Sequence, residues 1–319
     1  MTQFNYHQRG AISICERLGK LKVATSKKLI GCILACLLFV TLISSAQAGE
    51  GKQERRKLRV VASFYPMYIM ALNVCKDVPE LELINLTPPA TGCLHDYALT
   101  TADMQKLERA DVFIGNGAGM ESFLSQIAAS YPHIKIVELA TGIPLIKSAA
   151  APNPHVWVSV ANAIVEVQNL AAFMARVDAA HAARYQQNTR DYVARLEVLR
   201  REMRTALDVY RGMPLITFHE AFAYFAEEFG LKLAGVIDRE PGSSPNAKEL
   251  AETIATIKKL RIKALFTEPQ YPVTAAAIIA RETGLPLHHL NPAVNGPVSA
   301  DAYITIMRRN LTSLQTAFK

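Results

Sequence analysis

Residues 178–210 read DAAHAARYQQNTRDYVARLEVLRREMRTALDVY, a run without glycine or proline and rich in Ala, Arg, Glu and Leu. These residue types have high helix propensity and nothing interrupts them, so the stretch predicts one continuous helix. Tyr185, Thr189, Tyr192, Leu196, Leu199, Met203 and Leu207 recur at steps of three and four, which places them on a single stripe turned toward the rest of the chain. About 33 residues rising ~1.5 Å each make a rod of roughly 50 Å. Such a rod reaches along two modest lobes. It contains no Gly/Ser hinge, which argues against large-amplitude closure of whatever it joins.

On both sides of the rod, short apolar runs alternate with amphipathic ones. Before it come LRVVASFY from Leu58, LELINLT from Leu81, DVFIGNG from Asp111 and IKIVEL from Ile134. After it come PLITF from Pro214, LKLAGVI from Leu231, ALFTE from Ala264 and PLHHLN from Pro286. Strands alternating with helices predict an α/β protein with mostly parallel sheets. Gly230 and Gly284 stand where helices should stop. The expected organisation is an N-terminal α/β lobe over 49–177, a linking helix over 178–210 and a C-terminal α/β lobe over 211–319. The two lobes look like copies of one architecture with a cleft between them.

Residues 1–48 read differently. A basic stretch ends in Lys27 and Lys28, the apolar run LIGCILACLLFVTLI follows, and Ala46 and Ala48 fit a small-residue cleavage signal. This predicts a secretory signal peptide cut before Gly49. The apolar run, from Leu29 to Ile43, is shorter than the ~20 residues that span a bilayer. LIGC resembles a lipoprotein box at Cys32, but the apolar region follows that cysteine instead of preceding it, which argues against an acyl anchor. The mature chain is expected to be soluble and monomeric. Six of the 35 Lys and Arg and one of the 28 Asp and Glu fall in this leader, leaving a mature net charge of about +2. That is no electrostatic footprint for nucleic acid. Only Cys75 and Cys93 lie beyond the leader. A disulfide, two buried thiols, or a role for Cys93 beside His95 all satisfy the sequence.

Ligands of open α/β sheets bind beyond the carboxyl ends of the strands, and this rule sorts the histidines. His95 lies in the loop leaving the second strand, within PPATGCLHDYALTTADM. His155 follows the fourth strand, within APNPHVWVSVANA. His219 ends the first strand of the second lobe, within ITFHEAFAYFAEEFGLKL. All three belong to one rim and are candidates to converge in the cleft. His133 and His181, at a strand entrance and on the long helix, read as solvated. His288 and His289 lie inside a strand, where local polar contacts account for them.

The segments PHVW, HDYALTTADMQKLERADVFIGNGAGMESFL, FHEAFAYFAEEFGLKLAGV and SPNAKELAETI resemble the metal-binding proteins of ABC importers for zinc, manganese and iron, and the resemblance covers nearly all of residues 58–314. It implies two lobes bridged by a long helix with the metal between them, His95, His155 and His219 as ligands, and a periplasmic location. It also implies delivery to a separate ABC permease and its ATPase; the chain has no P-loop of its own. The fourth ligand position, often Asp in the family, falls on Asn291 of HHLNPAV. Leu94 replaces the usual proline before the first histidine, and the His-rich acidic loop of many zinc members is absent.

Three neutral imidazoles suit Zn(II), with Mn(II) or Fe(II) in the same role as the alternative. Glu268 of FTEPQ ends a strand on the same rim and is expected beside the ligands, not among them. A three-histidine site with an open position is also how catalytic zinc is built, so a hydrolase using Glu220 or Glu268 as base is a second class of reading. The absence of an H-E-x-x-H pairing counts against it. A surface adhesin is a third reading, weakened by the lack of an anchor.

Overall fold

The computed structural model describes residues 56–147, 151–237, 246–270 and 273–319. The expected signal peptide, its cleavage site and Cys32 lie outside the described residues. All eight expected strands form. The first sheet holds β1 (Leu58–Ala62), β2 (Leu81–Asn85), β3 (Val112–Gly115) and β4 (Lys135–Glu138) in the order β2-β1-β3-β4. The second holds β5 (Pro214–Thr217), β6 (Lys232–Val236), β7 (Leu265–Thr267) and β8 (Leu287–His289) in the order β6-β5-β7-β8. Every neighbouring pair is parallel. The repeated strand order is the symmetry that the repeated sequence pattern predicted.

Parallel strands are covered on both faces, so their central members carry near-continuous apolar runs. Val60, Val61 and Ala62 of β1 and all four residues of β3 are buried. The covering helices in the first lobe are α1 (Tyr65–Val74), α2 (Thr101–Glu108), α3 (Leu124–Ser130) and α4 (Val160–Val177). Thr100 and Asp103 cap α2 reciprocally, and Ser159 caps α4.

The long helix is α5 (Ala182–Leu207), extended by 3₁₀ turns at Ala179–His181 and Asp208–Tyr210. Its buried residues are the predicted stripe from Tyr185 to Leu207. The second lobe adds α6 (Ala223–Phe229), α7 (Ala247–Leu260), α8 (Thr274–Thr283) and α9 (Ala302–Phe318). Gly230 and Gly284 end α6 and α8 at φ of 69° and 70°, a left-handed conformation that costs glycine little.

The rod is not the only tie between the lobes. Trp157 Nε1 donates to the Pro292 carbonyl at 2.7 Å, and Tyr303 Oη donates back to the Trp157 carbonyl at 2.8 Å. Tyr65 Oη and Asn73 Nδ2 donate to the carbonyls of Pro297 and Ala300. One continuous apolar core runs through Phe64 and Trp157 of the first lobe, the stripe of α5, and Phe266, Tyr303 and Phe318 of the second. Among the described residues, no helix is long and apolar enough to cross a membrane.

Candidate metal centre

Four loops leave carboxyl strand ends on the same rim and carry the side chains of the cleft. The loop after β2 brings Cys93 and His95, the loop after β4 brings Asn153 and His155, β5 runs into His219, and β7 into Glu268 and Gln270. Each loop is fixed locally. Leu94 is fully buried and its N–H donates to Met120 Sδ at 3.4 Å, so the residues flanking it are held at the cleft. A proline at position 94 would have no N–H to give. The loop to His155 is clamped from the second lobe: Tyr224 Oη donates to the Asn153 carbonyl, and Asn153 Nδ2 donates to the Glu220 carbonyl. Beside β5 the neighbouring strand β6 carries one extra residue, Ala234, between the partners of Leu215 and Ile216, while β5 itself runs on to His219. The backbone N–H of His219 then donates to Glu268 Oε1 at 3.0 Å.

The three predicted histidines converge. His155 Nε2 lies 3.1 Å from His95 Nε2 and 3.1 Å from His219 Nε2. A tetrahedral zinc ion with nitrogens at ~2.0–2.1 Å would separate them by roughly 3.3 Å, so the spacing is that of one coordination sphere. The proton inventory points the same way. Asn153 Oδ1 accepts both the His155 backbone N–H and His155 Nδ1, each at 2.9 Å. With its amide nitrogen turned to Glu220, Asn153 can only accept here, which puts the His155 ring proton on Nδ1 and leaves Nε2 bare. That single in-plane lone pair faces two other imidazole nitrogens. It can satisfy one N–H donor, whereas a cation satisfies all three nitrogens at once.

The electrostatics keep the rings neutral. Burial, followed by the neighbouring His219 and His95, holds His155 well below the ordinary histidine range. Burial and then His95 bring His219 down to about 3. Burial also lowers His95, opposed by Glu220 and Asp96. A ring that refuses a proton keeps a lone pair for a metal.

The fourth predicted residue behaves otherwise. Asn291 Oδ1 accepts the Ala293 N–H at 2.8 Å, and its Nδ2 donates to the side chain of Asn295 at 2.9 Å. Its carboxamide closes a turn in which Ala293 takes a φ of 60°, and it makes no hydrogen bond to the three imidazoles. Sequence register found the loop but not the competing turn. The side chain that does join the histidines is Cys93, whose Sγ forms one group with the three imidazole nitrogens, all within 4.8 Å of one another. Cys75 and Cys93 are both free thiols, so the disulfide alternative is not realised. Glu268 sits beside His219: Oε1 accepts from the His219 backbone N–H, Oε2 accepts from Gln270 Nε2, and burial raises its carboxyl to about 8.

The remaining histidines are elsewhere. His181 pairs with Asp178 at 2.8 Å, and His133 is exposed beside the Tyr131 ring. His289 Nδ1 lies 2.8 Å from Thr267 Oγ1, and His288 lies against Phe266. Asn153 escaped the sequence reading, although an Asn two residues before a rim histidine is within reach of that histidine's own backbone and ring.

The chain matches the family described as zinc-uptake complex component A, periplasmic, over residues 60–317. It is 29% identical over 306 residues to the high-affinity zinc uptake system protein ZnuA of Bacillus subtilis, covering 89% of this chain and 95% of that protein. It is 26% identical over 317 residues to the zinc-binding protein AdcA of Streptococcus pyogenes, covering 88% of this chain but 60% of AdcA. The solved structure of the solute-binding protein FpvC from Pseudomonas aeruginosa with Ni²⁺ superposes with a TM-score of 0.73 at 31% identity, covering 82% of this chain and 96% of that one.

Proposed function

The chain belongs to the family of periplasmic zinc-uptake complex component A, and from that premise we propose that His95, His155 and His219 hold Zn(II) in the cleft for delivery to an ABC permease and its ATPase. The protein is a metal-binding component of zinc import and not an enzyme. An extracytoplasmic protein of this kind works on the outer side of the cytoplasmic membrane; a periplasmic, monomeric form released by a signal peptide is part of the proposal.

The observation that carries the ligand set is the pair of 3.1 Å separations between His155 Nε2 and its two neighbours. Zinc is favoured over manganese because imidazole nitrogens are borderline donors, whereas Mn(II) prefers carboxylate oxygens. Asn291, the residue that the resemblance aligns with the fourth ligand position, is neutral and contributes no charge either way. FpvC has been solved with both Ni²⁺ and Mn²⁺, so a second reading, another divalent ion in the same cleft, belongs in the test.

Metal-free protein titrated separately with Zn(II), Mn(II), Ni(II) and Fe(II) should bind zinc at one site and prefer it to manganese. Binding manganese more tightly than zinc, or zinc binding unaffected by loss of all three histidines, would overturn the assignment.

A further inference from the structure

Resting on that zinc-capture reading and deepening it, we infer that Cys93 is the fourth zinc ligand, completing a shell of three imidazoles and one thiolate. Three observations carry this. Cys93 Sγ belongs to the same 4.8 Å group as the imidazole nitrogens of His95, His155 and His219. Residues 93 and 95 flank Leu94, which is buried in the core and pinned through its N–H to Met120, and both line the same cavity. The competing donors stand apart: Glu268 is not in that 4.8 Å group and is bonded to the His219 N–H and to Gln270, and the Asn291 carboxamide closes its own turn.

The opening supports an entry path. A cavity of about 260 Å³ lies over Cys93 and His95, bordered by Asp96, Tyr97 and Gln270. An ion arriving there meets the His95–Cys93 edge before reaching His155, which is fully buried. On binding, the S–H bond of Cys93 breaks, a Zn–S bond forms, and the proton leaves to solvent; no electrons change hands. The thiolate removes one unit of the ion's charge in a site whose other donors are neutral. It also makes the site softer, which raises the preference for zinc over manganese beyond what three imidazoles provide.

The test is cobalt substitution of the full chain. The parent loaded with Co(II) should show the near-ultraviolet thiolate-to-cobalt charge-transfer band together with the visible bands of a four-coordinate ion. Cys93→Ser should still bind Co(II) through the histidines but lose the charge-transfer band. Its zinc affinity should fall about 10- to 100-fold, at least the range seen for loss of a partner outside the coordination sphere, with manganese affinity changing less. A parent that binds Co(II) and Zn(II) without the band overturns the Cys93 assignment and leaves zinc capture standing. Persistence of the band in Cys93→Ser assigns it to another thiol and also overturns the assignment. A parent that binds neither ion overturns zinc capture itself. The parent spectrum decides even if Cys93→Ser fails to fold, and Cys93→Ala, checked by circular dichroism, repeats the affinity arm.

Discussion

Asn153 Oδ1 accepts both the backbone N–H and the Nδ1 of His155, at 2.9 Å each, so one carboxamide sets the tautomer and the direction of the deepest imidazole. Replacing it by alanine frees the ring to rotate and to move its proton. Zinc affinity of Asn153→Ala should fall about 10- to 100-fold, the usual effect of losing such a partner. Asn153→Asp keeps the acceptor on Nδ1, though it loses the Nδ2 bond to the Glu220 carbonyl and adds a buried carboxylate there, so its affinity should fall less than that of Asn153→Ala. Calorimetric titration of both variants checks this; parent-like binding by Asn153→Ala would show that the tautomer is set otherwise.

Removing a ligand should cost more than removing its support. His155→Ala and His219→Ala should each lose about 100-fold or more in zinc affinity, while His133→Ala and His181→Ala should bind zinc like the parent. The protein carries its own reporter. Trp157 is the only tryptophan, and its ring centroid lies 5.3 Å from that of His155. Its emission should change saturably as zinc is added and stay flat in His155→Ala. A strong loss from His133→Ala or His181→Ala would mean the histidines are wrongly sorted.

Zinc binding should proceed with little change in overall shape. The lobes are joined by α5, by a shared core, and by the hydrogen bonds of Trp157, Tyr303, Tyr65 and Asn73 across them. Opening the cleft as a hinge would break these bonds, two of them fully buried, at about 0.5–1.5 kcal/mol each net and more where a group is left unpaired. X-ray scattering with and without zinc should give radii of gyration that agree within error. A clear contraction on loading would refute the rigid frame.

A pH dependence of stability should originate at Glu166 on α4. Glu166 is fully buried, and neither carboxyl oxygen finds a hydrogen-bond partner among the described residues. Burial, with the nearby Glu121 second, raises its pKa well above the ordinary carboxyl range. Glu121 receives hydrogen bonds from Ser63 and from the N–H groups of Asn116 and Gly117, which places the proton of the pair on Glu166. A folded-state pKa above the unfolded value of ~4.3 contributes stability that is full below that value and is lost as pH rises toward the folded pKa. Glu166→Gln mimics the protonated group at every pH. Between pH ~5 and pH ~8 its urea midpoint should therefore fall less than that of the parent; equal falls would show that Glu166 does not titrate in this window.

The sequence by itself determined the frame. Eight strands, the stripe from Tyr185 to Leu207 and the helix stops at Gly230 and Gly284 are properties of consecutive residues, because periodicity and backbone preference act locally. The rule that ligands gather beyond carboxyl strand ends then placed His95, His155 and His219 on one rim. Only the tertiary structure decided which side chains meet there. The cleft is built from irregular loops, which have no period to read, and a donor atom's availability depends on what else it bonds. Asn291 occupies the expected loop yet turns its carboxamide to Ala293 and Asn295. Cys93 stands beside the histidines because Leu94 is drawn into the core. The ties from Trp157 to Pro292 and from Tyr303 to Trp157 join residues far apart in the chain, and nothing short of the packed core brings such groups within bonding distance.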